Sequence, residues 1–214
     1  MTTRTLYLAR HGEADALGAL TATGREQCHR LGGRLAALPI DVIWHSPLPR
    51  AIDSAALIAE HLPRVLVDEA PELIDHIPSV PDVTTLTPTW AAFFDGFGQE
   101  EVAAGERISR SLIERFAKPL AAGARPTHEV LITHAYPVAW MVREALGAPA
   151  ESWMSLAGMA NTALTVLEYD EGPPVVHVVG DRSHLVGPGQ GPGTGRGTGS
   201  AAGDGRTPAI GGDG

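Results

Sequence analysis

The apolar stretch Leu6-Tyr7-Leu8-Ala9 runs directly into the polar stretch Arg10-His11-Gly12-Glu13. The first stretch predicts a short buried strand, and the second marks its carboxyl end. A later apolar run, Val130-Leu131-Ile132-Thr133, ends in the same way at His134. Because ligands of open α/β sheets lie outside the carboxyl ends of the strands, we expect both histidines to point into one crevice.

Apolar runs and helical periods alternate along the chain. Thr23 and Glu26 have the spacing of a capping box, which predicts a helix that reaches about Leu38. Three β-α steps in succession predict a three-layer α/β/α sandwich with a mostly parallel central sheet. The other predicted elements are strands at 40–44, 65–67, 129–133, 162–169 and 175–179, and helices at 46–61, 106–120 and 137–146.

Two segments depart from this alternation. Residues 68–105 hold four prolines and an aromatic cluster, Trp90, Phe93, Phe94 and Phe97, which predicts an insertion or cap over the sheet. The aromatic side chains either form a wall for a substrate or close a small core of the insertion. Residues 187–214 contain 12 of the 25 glycines and predict a disordered tail, which leaves residues 1–186 as one domain.

Charge and composition restrict the partners. The whole formal charge of −9 lies on residues 1–186, so nucleic acid and anionic membranes are poor partners. A single cysteine, Cys28, excludes an internal disulfide framework. No apolar run is long enough for a transmembrane helix and no signal peptide is recognisable, which predicts a cytoplasmic protein. The oligomeric state stays open.

Arg50 follows the end of a third predicted strand, which places it at the same edge of the sheet as Arg10 and the two histidines. Guanidinium groups match the oxygens of a phosphate and stay charged at any working pH. A neutral imidazole, here His11, can attack phosphorus and hold the phosphoryl group as a phosphoramidate. A positively charged second histidine, His134, would stabilise the transition state. The residue types therefore predict a pocket for a phosphate group.

The ordered motifs resemble the histidine phosphatase superfamily, which is also called phosphoglycerate mutase-like. They span about residues 4–180 and occur in the family's order. The matching motifs are Arg10-His11-Gly12-Glu13, Leu20-Thr21-x-x-Gly24-x-x-Gln27, Ser46-x-Leu48-x-Arg50-Ala51, Thr133-His134 and Asn161 to Leu167. The resemblance implies that His11 is the phosphorylated nucleophile, that Arg10, Arg50 and His134 form the phosphate pocket, and that no metal or organic cofactor is needed.

Two acidic residues are candidates for the general acid. Family members carry an acidic residue between the second arginine motif and the late histidine, and Asp75 resembles that position, with Glu72 as the alternative. Glu72 and Glu13 are further candidates for substrate binding, although Glu13 could instead be a turn carboxylate. His76 could line the pocket or face solvent, and Tyr136 could border the substrate or pack at a helix start.

These observations predict a phosphomonoester hydrolase of the histidine acid phosphatase type, acting on a small phosphorylated metabolite without a metal. Only eight residues separate His11 from Leu20, unlike the mutase branch of the family, so hydrolysis is favoured over transfer. The alternatives are a non-catalytic phospholigand-binding or scaffold protein that lacks a usable acid, and phosphoryl transfer of the phosphoglycerate mutase type.

Overall fold

The computed structural model describes residues 2–186, so the predicted tail at 187–214 lies outside the described residues. Strands and helices alternate over the first half of the chain, as the sequence predicts. The strands are β1 (Arg4–Arg10), β2 (Val42–His45), β3 (Leu66–Glu69), β4 (Thr127–Thr133), β5 (Leu164–Tyr169) and β6 (Val175–Asp181). The helices are α1 (Ala22–Leu35), α2 (Pro49–Ala59), α3 (Pro88–Phe94), α4 (Gln99–Phe116) and α5 (Ala135–Ala145).

The six strands form one sheet in the order β3-β2-β4-β1-β5-β6. The pairs β3–β2, β2–β4 and β4–β1 are parallel, whereas β5 runs antiparallel to both β1 and β6. Arg10 is paired with Thr133 at the ends of β1 and β4. This register places the residues that follow these two strands side by side at one edge of the sheet.

The sheet is covered on both faces, which confirms the predicted three-layer α/β fold. Alternate residues of β1 point to opposite sides, as the strand period requires. Leu6 and Leu8 pack with residues of α4 and α5, including Leu112. Tyr7 and Ala9 pack with residues of α1 and α2, including Leu31.

The structure corrects the predicted starts of several helices, among them α2, which begins at Pro49 and not at Ser46. Helix α1 begins at Ala22 with Thr21 as its N-cap, two positions before Thr23, because the Thr21 hydroxyl accepts from the Gly24 amide and donates to Glu13. Helix α4 begins at Gln99 and not at 106, so its first turns belong to the segment predicted as an insertion or cap.

The aromatic residues of the 68–105 segment pack against the body of the domain. Trp90 and Phe94 contact Trp153, and Phe93 contacts Tyr136 at the start of α5. They join a separate apolar cluster that also contains Ala139. The cluster fixes the segment beside α5, and its function as a substrate cap stays a prediction. Within residues 2–186, no helix combines the length and the apolar character needed to cross a bilayer.

Candidate active site

The two histidines predicted at strand ends lie next to each other. His11 follows β1 and His134 follows β4, and their ring centroids are 5.1 Å apart. Both residues are almost completely buried, at 2% and 1% exposure. Their proximity follows from the parallel pairing of β1 with β4, which brings both strand ends to the same point.

The hydrogen bonds of His11 define which ring nitrogen carries the proton. Nδ1 lies 2.7 Å from the carbonyl oxygen of Gly12, and Nε2 lies 3.1 Å from Nε of Arg50. A carbonyl oxygen only accepts and a guanidinium only donates, so Nδ1 carries the proton and Nε2 presents its lone pair. His11 is therefore held as a neutral imidazole with its nucleophilic nitrogen at the Arg50 guanidinium.

The backbone around His11 is fixed by two segments outside the motif. The side-chain amide of Asn161 donates to the carbonyl oxygen of His11 at 2.9 Å, and the amide of Thr162 donates to that of Arg10 at 2.9 Å. Thr162 has a positive φ of 53°, an uncommon conformation for a β-branched residue. The turn before β5 is thus shaped to hold the loop after β1.

Gly12 lets this loop approach α1 closely. A Cβ atom on Gly12 would lie 2.6 Å from the carbonyl oxygen of Gly24 and 2.8 Å from Sγ of Cys28. The Gly12 amide donates to Oγ of Ser54 at 3.0 Å, and that hydroxyl donates to the Arg50 carbonyl at 2.6 Å. Ser54 thereby ties the His11 loop to the first turn of α2, where Arg50 sits.

Arg50 connects the two sides of the pocket. Its Nε donates to Nε2 of His11, and its Nη2 lies 3.2 Å from Oδ2 of Asp75. The second arginine, Arg10, uses Nη1 to donate to the carbonyl oxygen of Met159 at 3.0 Å. Both guanidiniums are thus held by bonds to the protein, and Arg50 directly joins His11 to a carboxylate.

The two candidate acids lie in different surroundings. Oδ2 of Asp75 is 3.2 Å from Arg50 and 3.7 Å from Nδ1 of His134, so this carboxylate belongs to the pocket. Glu72 instead pairs with Arg115 of α4 at 2.7 Å. Of the two carboxylates, the structure brings only Asp75 to the histidines.

The loop that carries Asp75 is anchored on both sides. The Thr133 hydroxyl donates to the Leu73 carbonyl at 2.6 Å. His76 faces neither the pocket nor solvent with its nitrogens: Nδ1 lies 2.7 Å from the Ile74 carbonyl and Nε2 lies 2.8 Å from Oγ of Ser109 on α4. Burial lowers the pKa of His76 to about 4, so both bonds involve a neutral ring.

His134 is neutral in this structure, which corrects the expectation of a charged second histidine. Burial lowers its pKa well below the usual value, and the positive charges of Arg50 and Arg10 lower it further. A proton added here would be desolvated and repelled by the guanidiniums. His134 can therefore contribute an N–H donor to the pocket without a full charge.

Glu13 lies outside the pocket. Its carboxylate accepts from the Thr21 hydroxyl at 2.8 Å, and its backbone carbonyl accepts from the Thr21 amide at 3.0 Å. The residue is exposed and joins the His11 loop to the start of α1. A Cβ on Gly24 would overlap the Glu13 carbonyl oxygen, which explains why glycine stands at that helix position.

Three pocket-supporting residues were missed as functional residues at the sequence level. Ser46, Ser54 and Asn161 form hydrogen bonds with His134, Arg50 and His11, respectively. Ser46 and Asn161 are each the first residue of a recognised motif. Their place in these motifs is the sequence signal that could have identified them. Among residues 2–186, no group of three or more histidine, cysteine or acidic side chains is arranged to hold a metal ion.

This fold and this arrangement of strand-end residues define the class of phosphoglycerate mutase-like α/β proteins. Residues 6–182 match the histidine phosphatase superfamily (branch 1), and the chain belongs to that superfamily. The structure of Bacillus stearothermophilus YhfR superimposes with a TM-score of 0.64 at 24% identity, covering 86% of this chain and 100% of YhfR. At this identity the likeness shows the fold alone.

Curated relatives carry the names of phosphatases and mutases. "Serine/threonine-protein phosphatase Pgam5, mitochondrial" from Caenorhabditis briggsae is 32% identical over 191 residues, which cover 85% of this chain and 64% of the relative. The chain thus spans less than two thirds of that relative's length. "Probable phosphoglycerate mutase GpmB" from Klebsiella pneumoniae is 29% identical over 213 residues, covering 86% and 95%. Together with the family, these names support a phosphatase or mutase enzyme.

These relatives contradict the prediction of a cytoplasmic protein, because nematode and mammalian proteins similar to this chain are named as mitochondrial. That prediction relied on two absences, of a signal peptide and of a transmembrane run. Neither absence distinguishes the cytoplasm from an organelle.

Proposed function

We propose that this protein is a phosphomonoester hydrolase that works through a phosphohistidine on His11. The observation that carries the proposal is the Arg50 bridge, which joins Nε2 of His11 at 3.1 Å to Asp75 at 3.2 Å. A nucleophile, a phosphate-binding cation and a proton-transferring carboxyl group are thereby brought within reach of one substrate phosphate.

The first step forms one bond and breaks another. The Nε2 lone pair of His11 attacks phosphorus while the bond between phosphorus and the leaving oxygen breaks. In the proposed step, Arg10, Arg50 and an N–H group of His134 bind the equatorial oxygens. The proton on the leaving oxygen comes from Asp75, so the product leaves as an alcohol.

Asp75 must be protonated for this step, although in this structure its carboxylate contacts Arg50. When Arg50 binds the phosphate instead, the carboxyl group loses a cationic neighbour and gains an anionic one, and both changes favour its protonated form. In the second step the Asp75 carboxylate takes a proton from water, and the water oxygen displaces His11 from phosphorus. Inorganic phosphate leaves and His11 is neutral again.

The assignment of the acid is tested by paired variants. Asp75→Asn is expected to lower kcat on an alkyl phosphate by about 10²–10⁴-fold. The initial burst from p-nitrophenyl phosphate should persist, because its leaving group needs little protonation. Glu72→Gln is the matched control and should leave both substrates near wild-type rates. A Glu72→Gln variant with the leaving-group dependence expected of Asp75→Asn would transfer the role to Glu72.

The nucleophile is tested by His11→Ala, which is expected to abolish turnover of p-nitrophenyl phosphate with the fold retained. Retained turnover would overturn the proposed mechanism, and tight phosphate binding without turnover in the wild type would favour the non-catalytic binder. The proposed chemistry uses no metal, so activity should survive chelation by EDTA.

We propose a small phosphorylated metabolite as the substrate, in keeping with the net negative charge of the chain. The Pgam5 relatives, named as serine/threonine-protein phosphatases, favour a phosphoprotein as the second candidate. Phosphate release from a metabolite panel and from phosphoserine and phosphothreonine peptides, compared by kcat/KM, separates the two classes. The similarity to GpmB favours a further test for mutase activity, in which a phosphoryl group would move between hydroxyls of one sugar acid without phosphate release.

A further inference from the structure

The hydroxyl group of Ser46 lies behind His134 at the end of β2. Ser46 is fully buried, and its Oγ is 2.8 Å from Nε2 of His134. Its backbone amide donates to the Ile132 carbonyl at 3.0 Å, which fixes its position against β4. The bond to Ser46 leaves Nδ1 as the His134 nitrogen on the side of Asp75.

The two ring nitrogens of His134 lie in different surroundings, and these decide which nitrogen carries the proton. Nδ1 is buried, has no hydrogen bond within residues 2–186, and lies 3.7 Å from Oδ2 of Asp75. A carboxylate oxygen attracts a proton and repels a lone pair, so it favours the form of His134 with a proton on Nδ1. Nε2 must then accept, and within the described part of the chain the only group at hydrogen-bond distance from it is the Ser46 hydroxyl.

Ser46 is suited to donate because one of its acceptor positions is already used. The Leu48 amide donates to Ser46 Oγ at 3.3 Å. The hydroxyl proton has no other acceptor among the hydrogen bonds of the described residues, which leaves it directed at His134. The bond from Leu48 and the bond to Nε2 together define the orientation of the hydroxyl group.

We propose that Ser46 is a positioning residue that keeps neutral His134 in the tautomer with its proton on Nδ1, so that Nδ1–H binds a phosphoryl oxygen. The inference rests on the proposed function, because it assigns a donor within that pocket. The charged and titratable groups that face His134 are His11, Arg10, Arg50, His76 and Asp75. A neutral donor adds a hydrogen bond beside the guanidiniums without adding a repelling charge.

The tautomer is measured directly by ¹⁵N NMR of histidine-labelled protein. Near neutral pH, wild-type His134 is expected to show a protonated Nδ1 and an unprotonated Nε2, and inorganic phosphate should shift the Nδ1–H resonance. In Ser46→Ala the preference should weaken or reverse. A wild-type His134 protonated on Nε2, or on both nitrogens, would overturn the proposal.

Kinetics provide the second readout. Ser46→Ala is expected to lower kcat by about 10- to 100-fold with a smaller change in KM, because the misplaced donor acts mainly in the transition state. Ser46→Cys keeps a weak donor and should recover part of the loss; it also replaces Ser46→Ala if that variant does not fold. Thr165→Val is the matched control, because Thr165 is equally buried and its hydroxyl accepts from Gly180 away from the histidines.

The NMR and kinetic experiments distinguish a failure of this proposal from a failure of the proposed function. If the wild type hydrolyses no phosphomonoester, the proposed function fails, and the NMR tautomer and its response to phosphate still decide the role of Ser46. If the wild type is active while Ser46→Ala keeps both the tautomer and kcat, the role of Ser46 is refuted and the phosphohistidine mechanism stands.

Discussion

His76 makes the stability of the fold depend on pH. Its folded-state pKa is lowered from 6.5 to about 4 by burial, while its ring anchors the Asp75 loop through Ile74 and Ser109. In the unfolded chain the same ring takes up a proton near pH 6.5. Between these two values the unfolded state binds more protons, so the free energy of unfolding falls as the pH falls.

The size of the effect follows from the two pKa values. Linkage gives a loss of about 2 kcal/mol from His76 between about pH 7 and about pH 5, and the ring's partial exposure reduces this to about 1–2 kcal/mol. His76→Gln removes the titrating group. Relative to the wild type, this variant should therefore lose about 1–2 kcal/mol less stability over that interval.

Urea denaturation at a series of pH values measures this difference, with the unfolding slope checked for two-state behaviour. The exposed His177→Gln serves as the matched control and should follow the wild type. Equal pH dependence in wild type and His76→Gln would refute the reasoning. So would an NMR titration of His76 with a pKa near 6.5.

Two substitutions test how the loops are packed, and a third tests the buried ion pair between β1 and β4. Gly105→Ala would place a Cβ on the Ile77 carbonyl oxygen, so it should cost about 1–3 kcal/mol of stability in urea denaturation and slow alkyl phosphate hydrolysis more than p-nitrophenyl phosphate hydrolysis. Gly12→Ala would crowd α1, so it should reduce kcat while the far-ultraviolet circular dichroism spectrum is retained. An unchanged kcat would contradict the close packing of the His11 loop against α1. Arg4→Met leaves the carboxylate of Glu129 buried without its 2.8 Å partner, and should cost about 3–5 kcal/mol in thermal or urea unfolding.

The parts of the fold that were predictable are those set by local pattern. The centres of β1 and β4, at 6–9 and 130–132, are continuous apolar runs, and parallel pairing brings the ends of these strands together regardless of the loops between them. His11 and His134 could therefore be placed together from sequence, with Arg50 beside them at the start of a helix.

The choice between Asp75 and Glu72 could not be made from sequence, because it depends on how the 71–78 loop packs. The close approach permitted by Gly105 and the anchor from Thr133 turn Asp75 toward Arg50, whereas Glu72 meets Arg115. Both contacts join residues distant in the chain. A local sequence pattern therefore cannot predict either contact.

The charge of His134 was misjudged, and the position of Glu13 was left open between pocket and turn, for a related reason. A sequence shows that guanidiniums are near a histidine, but the burial that makes another positive charge unfavourable appears only in the folded structure. Glu13 is next to Gly12 in sequence, yet the turn directs its side chain to Thr21. Adjacency in the chain is a weak guide to adjacency in a pocket.

Trapping phosphorylated His11 tests the central claim most directly. Asp75→Asn slows the hydrolytic step, so p-nitrophenyl phosphate should give a burst of p-nitrophenolate and an acid-labile phosphoryl group, located on His11 by mass spectrometry after an alkaline quench. His11→Ala in the same background should give neither. Steady turnover by His11→Ala, or a burst without phosphate on His11, would contradict the account.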